Sequence, residues 1–249
     1  MKRNDLVDYL DTYLRVKEIK DEALNGLQVE GSDEVSTIAV AVDASLATFE
    51  AAAERGAQFL IVHHGLFFGD IKPITGTHCR RIKTLLDHGI SLYASHLPLD
   101  LHPEVGNNVE IARVISLYEQ HPFGEYHGVS LGCGGMLEQK TDPHSIAKLL
   151  SAATGNACSV YANGDVTSKI AIVSGGGAYA LDEAARSGYD TLITGETKHS
   201  SYHPAKEYGI SVIFGGHYGT ETFGVKALAK RLADEFALPH HFIDIPTGM

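Results

Sequence analysis

Apolar and polar residues follow one another along the chain in a pattern of short buried strands separated by amphipathic helices. Continuous apolar runs begin at Ile38, Phe59 and Ile170, and such runs are typical of parallel strands that are covered on both faces. A further strand pattern begins at Ile90. Between the first two runs, residues 46–55 form an alanine-rich helical pattern that ends at a glycine. The sequence therefore predicts an α/β protein.

The other helical patterns cover residues 5–14, 76–88, 109–115 and 142–153. The stretch from about residue 121 to residue 135 is rich in glycine and has neither a helical nor a strand pattern. We therefore predict irregular structure there and place a lobe boundary within it. The predicted lobes are residues 1–124 and 125–249, and the C-terminal segment is a candidate to pack back on the first lobe.

The two predicted lobes contain an internal repeat. Four pairs of positions match: Ile38 with Ile170, Gly56 with Gly188, Gly89 with Gly209, and His96 with His217. Each lobe then consists of a strand, a helix, a strand, a helix and a strand, with a histidine just past the third strand. Chance agreement between two α/β units is the alternative, but the matching histidines and glycines favour an ancient duplication.

Histidines and carboxylates follow the ends of the predicted strands. His63 and His64 come directly after an apolar run, where the next residue, a glycine, lets the backbone turn. His96 and His217 each have a carboxylate four residues later, at Asp100 and Glu221. Because ligands in open α/β sheets gather beyond the carboxyl ends of the strands, we expect these six residues to meet in one crevice if the halves pack around a pseudo-two-fold axis.

Three or four imidazoles with two carboxylates form a ligand set for transition metals rather than for calcium. These groups are more than one catalytic ion needs, because such an ion keeps one coordination position open. Two ions roughly 3.5–4 Å apart would use all of the groups. Ordinary polar residues in strand-end loops are the alternative, but their recurrence in both halves favours a metal site. Histidine–carboxylate sites take Zn, Mn, Fe or Ni, so the identity of the metal stays open.

The composition narrows the function by exclusion. The chain has 249 residues and a formal net charge of −11, and this charge opposes non-specific binding to nucleic acid. No apolar run is long enough to span a bilayer. The cysteines Cys79, Cys133 and Cys158 are widely spaced, which indicates neither a disulfide framework nor a zinc knuckle. Because the first residues also lack a signal-peptide pattern, we expect a cytoplasmic location.

A glycine turn over residues 175–177 follows the strand that begins at Ile170. The backbone amides of such a turn could hold a phosphate group, and the turn satisfies a loose dinucleotide-binding pattern. Tight turns between a strand and a helix also use glycine for geometry alone, and no basic residue lies in this turn. We therefore do not favour dinucleotide binding, and contact between Gly175–Gly177 and phosphate stays open.

A set of motifs along essentially the whole chain resembles the NIF-three-like proteins, which are also known as GTP cyclohydrolase 1 type 2 homologs. These motifs are LNGLQVEG at 24–31, VHHG at 62–65, HLPLD at 96–100, GNN at 106–108, SGGG at 174–177, TGE at 194–196, GHYGTE at 216–221 and FIDIP at 242–246. The resemblance implies two interlocked α/β lobes related by internal duplication, a dinuclear metal centre and a toroidal homohexamer.

The resemblance also implies which residues bind metal, and these are His63, His64, Asp100, His217 and Glu221. His96 then stands close to two divalent ions as an acid–base group, and Glu196 is a second candidate for moving protons. The implied function is a metal-dependent hydrolase that acts on a nucleotide or a related small molecule through metal-activated water. A metal-storage or metal-delivery protein and a nucleic-acid-binding ring are the alternatives, and the acidic charge argues against the ring.

Overall fold

The computed structural model describes residues 1–69 and 72–248, which fall into two compact units. The first unit comprises Met1–Val105 and Val225–Ile245, and the second comprises Gly106–Gly224 with the residues from Pro246 onward. This division lies earlier in the chain than the boundary that we placed between residues 124 and 125. Each unit contains one sheet with helices, so the predicted α/β class with two lobes is confirmed.

The first unit has a five-stranded sheet in the order β1-β4-β3-β2-β11. The strands are β1 (Gly26–Val29), β2 (Ile38–Asp43), β3 (Phe59–His64), β4 (Ser91–Ala94) and β11 (His240–Phe242). β1 is antiparallel to β4, and all other neighbours are parallel. The helices of this unit are α1 (Arg3–Tyr13), α2 (Leu46–Glu54), α3 (Gly76–Asp87), the short α4 (Leu97–Asp100) and, from Val225 onward, the later part of α9 (His217–Phe236).

Both faces of β2 and β3 are buried, which explains their continuous apolar runs. One face carries Ile38, Val40, Phe59 and Ile61, which share a core cluster with Leu6, Leu10 and Leu228. The opposite face carries Ala39, Ala41, Leu60 and Val62, which share a second cluster with Phe49 and Leu85. Polar side chains are therefore confined to the strand ends.

The second unit has a six-stranded sheet in the order β5-β6-β8-β9-β10-β7. Its strands are β5 (Tyr118–Tyr126), β6 (Val129–Thr141), β7 (Ser159–Tyr161), β8 (Thr167–Val173), β9 (Thr191–Thr194) and β10 (Ser211–Phe214). Its helices are α5 (Asn107–Val114), α6 (Pro143–Thr154), α7 (Leu181–Arg186), α8 (Tyr202–Tyr208) and the first part of α9 (His217–Phe236). Across the part of the chain that the structure describes, no helix is long and apolar enough to cross a membrane.

The prediction of irregular structure between residues 121 and 135 is wrong, because this stretch forms most of the β5–β6 hairpin. Two glycines of β6 serve close packing. A Cβ atom at Gly132 would lie 2.0 Å from the carbonyl oxygen of Ile172, and one at Gly134 would lie 1.8 Å from the hydroxyl of Tyr189. These two glycines therefore reflect crowded strand faces and not a loop.

The parallel cores of the two units have the same register at equivalent positions. In the first unit Phe59 lies opposite both Ile38 and Ser91. In the second unit Thr191 lies opposite both Ile170 and Ser211. The alignment that places Ile38 on Ile170 thus also superimposes the strand pairing, which agrees with the predicted duplication.

Candidate functional site

Three histidines lie close together at the carboxyl ends of the parallel strands of the first unit. His63 and His64 end β3, and His96 follows β4. One ring nitrogen from each histidine lies within 4.8 Å of those of the other two. The ring centroid of His63 is 4.7 Å from that of His64 and 5.0 Å from that of His96. These side chains form a group that could hold a metal ion.

The Nδ1 atom of each of these histidines has a hydrogen-bond acceptor beside it. His63 Nδ1 lies 3.0 Å from the carbonyl oxygen of Ser95. His64 Nδ1 lies 2.8 Å from Asp43 Oδ1, and His96 Nδ1 lies 3.1 Å from both carboxylate oxygens of Asp21. Because a carbonyl oxygen and an ionised carboxylate only accept, Nδ1 carries the proton. Nε2 is therefore the nitrogen that a metal ion would take.

Asp100 is brought to this histidine group by α4. The helix follows His96 directly and has a proline in its first turn, a position that the fixed backbone angle of proline favours. The carboxylate at the end of the helix is buried, and its Oδ2 atom lies 3.6 Å from His63 Nε2. The candidate metal-binding groups of the first unit therefore include a carboxylate as well as ring nitrogens.

The turn after His64 requires a glycine at position 65. A Cβ atom there would lie 2.3 Å from Gln28 Nε2 and 2.7 Å from Ala94 Cβ. Gln28 also fixes this turn, because its Oε1 accepts a hydrogen bond of 2.7 Å from the backbone N–H of Leu66. β1 pairs with β4 and not with β3, so the motif at residues 24–31 supports the turn after the histidine strand through the Gln28 side chain.

In the second unit His217, Glu221 and Glu196 lie side by side. His217 begins α9, Glu221 lies one turn later, and Glu196 follows β9. His217 Nε2 lies 3.0 Å from Glu221 Oε1, and His217 Nδ1 lies 2.6 Å from Glu196 Oε1. The hydrogen bond to Glu221, opposed by burial and aided by Glu196, raises the pKa of His217 to about 9. A metal ion would therefore displace a proton from this ring.

The glycine turn at Gly175 brings the second unit's backbone against Glu221. Gly175 has φ +58°, and a Cβ atom there would lie 2.2 Å from Glu221 Oε1. Its N–H donates to Thr220 Oγ1 at 3.0 Å, and its carbonyl accepts from the N–H groups of Gly195 and Glu196. The glycine therefore serves close packing, and its amide bonds to the protein.

The chain matches the family described as Duf34/NIF3 (NGG1p interacting factor 3) over residues 1–248. It belongs to the Duf34/NIF3 family. A Deinococcus radiodurans protein is 47% identical over 248 residues, which cover 99% of this chain and 94% of that protein. A Pyrococcus horikoshii protein is 47% identical over 251 residues, which cover 100% of both. Both relatives are named GTP cyclohydrolase 1 type 2 homolog.

The fold of a solved structure agrees with this family membership. The crystal structure of the protein TTHA1606 from Thermus thermophilus superimposes with a TM-score of 0.93 at 45% identity and covers 100% of both chains. The predicted resemblance to the NIF-three-like proteins and the predicted fold are therefore confirmed.

In this Duf34/NIF3 chain, sequence reasoning missed the two carboxylates that hold His64 and His96. Asp43 ends β2 directly opposite His64, so a polar residue at the end of the neighbouring strand was a usable signal. Asp21 precedes β1 and is 75 positions from His96 along the chain. No periodicity or spacing marks Asp21, because only the folded loop brings it to the histidine.

Proposed function

We propose that this protein is a metal-dependent hydrolase that binds two divalent transition-metal ions per chain and acts on a nucleotide or a related small molecule. The observation that carries the proposal is the set of acceptors at Nδ1 of His63, His64 and His217. These contacts orient three imidazoles so that Nε2 is the nitrogen available to a metal ion. Metal-binding histidines typically have such an acceptor at the other ring nitrogen. The name that the two relatives share supports the cyclohydrolase class.

The ligands that we propose are His63, His64 and Asp100 in the first unit, and His217 and Glu221 in the second unit. Imidazole nitrogen and carboxylate oxygen suit Zn, Mn, Fe or Ni. Divalent ions bound by such groups supply a Lewis acid and lower the pKa of bound water to about 7. The dinuclear arrangement that the family resemblance implies stays a prediction.

His96 and Glu196 are the residues that we propose for handling protons. The His96 side chain is 19% exposed and its Nδ1 bonds to Asp21, so Nε2 is the atom that would accept or release a proton. Glu196 is 55% exposed, but one of its oxygens contacts His217 Nδ1. Protonation of that oxygen would loosen His217, so we assign the main proton transfer to His96 and a share in orienting His217 to Glu196.

Reconstitution with single metals tests this function. Protein purified without chelator is loaded with Zn, Mn, Fe or Ni, analysed for bound metal and assayed against a panel of nucleotides. We expect two ions per chain and hydrolysis of at least one nucleotide. His96→Ala should keep both ions and lose rate by about 10²–10⁴-fold. Loss of an ion in this variant would make His96 a ligand, and a parent protein that binds no metal would refute the proposal.

A metal-delivery protein is the second candidate, and the partial exposure of His217 and Glu196 favours it. Their side chains are 31% and 55% exposed, which would let an ion leave to an acceptor. Such a protein has no turnover to lose, so His96→Ala would change the rate at which a chelator removes metal. Hydrolysis of a nucleotide by the parent protein would decide against this candidate.

We also propose that the chain assembles into a toroidal homohexamer, as the family resemblance implies. The edge strand β5 and its neighbour β6 expose Tyr118, Tyr126 and Met136, each by 37–41%. Exposed edge strands with large apolar side chains are typical of surfaces that another chain covers. Light scattering at micromolar concentration should give the mass of six chains, and the mass of a monomer would contradict the proposal.

A further inference from the structure

The loop before β1 carries a buried carboxylate, Asp21, to which the proposed function assigns no role. The Asp21 side chain is 3% exposed. Its Oδ1 atom accepts from the backbone N–H of Ala23 at 3.0 Å, and its Oδ2 atom accepts from the backbone N–H of Leu97 at 3.0 Å. Both oxygens also lie 3.1 Å from His96 Nδ1. The carboxylate is therefore surrounded by donors, and the imidazole ring of His96 is among them.

Asn25 joins Asp21 to the backbone of His96. Asn25 Oδ1 accepts a hydrogen bond of 2.7 Å from the N–H of His96. Asn25 Nδ2 donates to Asp21 Oδ2 at 2.9 Å. The ring and the backbone of His96 are thus held at separate points by two side chains that are themselves bonded to each other. Such an arrangement restricts both the position and the rotation of the imidazole.

The charge of Asp21 suits this role. Burial disfavours the ionised carboxylate, but hydrogen bonds from His96, Asn25 and the backbone of Ala23 outweigh it and lower the pKa of Asp21 below its usual range. Asp21 is therefore an obligate acceptor at neutral pH, and its partner His96 Nδ1 must be the donor.

A cavity of about 410 Å³ lies against the same side chains. Asp21, Leu24, Phe67, Phe68 and Lys72 are among its lining residues. The Phe68 ring packs edge-on against His96, with 4.9 Å between the ring centroids. A small molecule in this cavity would therefore lie beside Asp21 and Phe68, two of the side chains that contact the His96 ring. This volume is within the usual range of ligand pockets.

We infer that Asp21 and Asn25 are positioning residues that fix His96 as the Nδ1–H tautomer and keep Nε2 as its basic nitrogen. The consequence for turnover rests on the proposed role of His96 in proton transfer. The tautomer itself does not depend on that role, and it can be measured in the metal-free protein.

Nitrogen NMR of the imidazole rings in metal-free protein tests the inference. At a pH above the histidine titrations, His96 should show its proton on Nδ1. Asp21→Asn should shift His96 towards the Nε2–H tautomer, because the amide can turn an N–H group to Nδ1. Asn25→Ala should give a smaller shift and provides a measurement if Asp21→Asn does not fold. Asp43→Ala is the matched control, since it removes the partner of His64 and should leave the His96 signals in place.

Metal content and kinetics complete the test. Asp21→Asn and Asn25→Ala should keep the metal content of the parent. In both variants kcat for any nucleotide that the parent hydrolyses should fall by about 10–100-fold, with a smaller change in KM. An Nε2–H tautomer in the parent, unchanged His96 signals in both variants, or loss of a metal ion would overturn the inference. If the parent shows the Nδ1–H tautomer but hydrolyses nothing, the proposed function fails while the positioning of His96 stands.

Discussion

Asp43 and His64 lie opposite each other at the ends of two parallel strands, and 2.8 Å separates Asp43 Oδ1 from His64 Nδ1. The register of the sheet therefore decides which carboxylate orients which imidazole. Because neighbouring parallel strands end at the same edge of a sheet, a pair formed in this way needs no loop to align it.

Removing this partner should weaken metal binding without unfolding the protein. Asp43→Ala removes the acceptor that orients the His64 ring, and loss of such a partner typically lowers metal affinity by about 10–100-fold. Asp43→Asn should have a smaller effect, because its amide oxygen can still accept from Nδ1. Competition with a chromogenic chelator measures both affinities. Equal affinities for the parent and Asp43→Ala would show that the contact does not orient a ligand.

Replacing both strand-end histidines should abolish metal binding. The double substitution His63→Ala with His64→Ala removes two of the five proposed ligands and their nitrogen donors. His144→Ala is the matched control, because His144 is an exposed histidine in the first turn of α6 and is not among the proposed ligands. Elemental analysis after reconstitution should give two ions per chain for the control and none for the double variant. Full metal content in the double variant would contradict the ligand assignment.

A methyl group at Gly175 should damage the second unit's part of the site. Gly175→Ala forces a non-glycine residue into the left-handed region, at a cost of about 1–3 kcal/mol, and places Cβ against Glu221. Gly188→Ala is the matched control, because Gly188 has φ +67° while the nearest atom to the added Cβ, among the residues that the structure describes, is Lys169 Nζ at 3.9 Å. Thermal unfolding should show lower stability for both variants, whereas the chelator assay should show weaker metal binding only for Gly175→Ala. Equal metal affinities in the two variants would contradict the predicted clash.

The contribution of Asp21 to stability should depend on pH. Its pKa is lowered in the folded protein, so the carboxylate stabilises the fold above its unfolded pKa of about 4, and this contribution is lost as pH falls through the lower folded pKa. Asp21→Asn lacks the titrating group. The difference in urea midpoint between the parent and Asp21→Asn should therefore be largest near pH 7 and shrink below about pH 4.

Glu54→Gln provides the control for the pH series, because Glu54 is an exposed residue at the end of α2. Its urea midpoint should follow that of the parent at every pH. A constant difference between the parent and Asp21→Asn from pH 7 to pH 3 would show that the hydrogen bonds of Asp21 do not favour its charged form.

The sequence predicts those parts of the fold whose side-chain pattern is compatible with only one kind of local structure. The runs at Ile38 and Phe59 are apolar on both faces because both faces are buried, so they identified β2 and β3. The stretch around Gly132 and Gly134 was misread, because glycine is used both in loops and where strands pack closely, and composition does not separate the two uses. Only the neighbouring Ile172 and Tyr189 show which use applies.

The same distinction holds for the candidate site. Histidines at strand ends could be predicted because a strand has a direction and its end is visible in the sequence. The carboxylates that orient these histidines differ in whether the sequence shows their position. Asp43 ends a neighbouring strand, whereas Asp21 reaches His96 through a loop that brings together residues distant along the chain. A hydrogen bond such as that between Asp21 and His96 depends on the folded path of the loop, so no periodic pattern in the sequence predicts it.

The shared register of the two parallel cores has an evolutionary consequence. In the alignment that places Ile38 on Ile170, Asp43 falls on Gly175 and His64 falls on Glu196. The same strand pairing therefore carries an imidazole (His64) at a strand end of the first unit and a carboxylate (Glu196) at the equivalent position of the second unit. After a gene duplicates, each copy can change the donor at a strand end by a single codon, because the sheet beneath it does not have to move. A chain built in this way can acquire new chemistry at its strand ends while its folding stays as inherited.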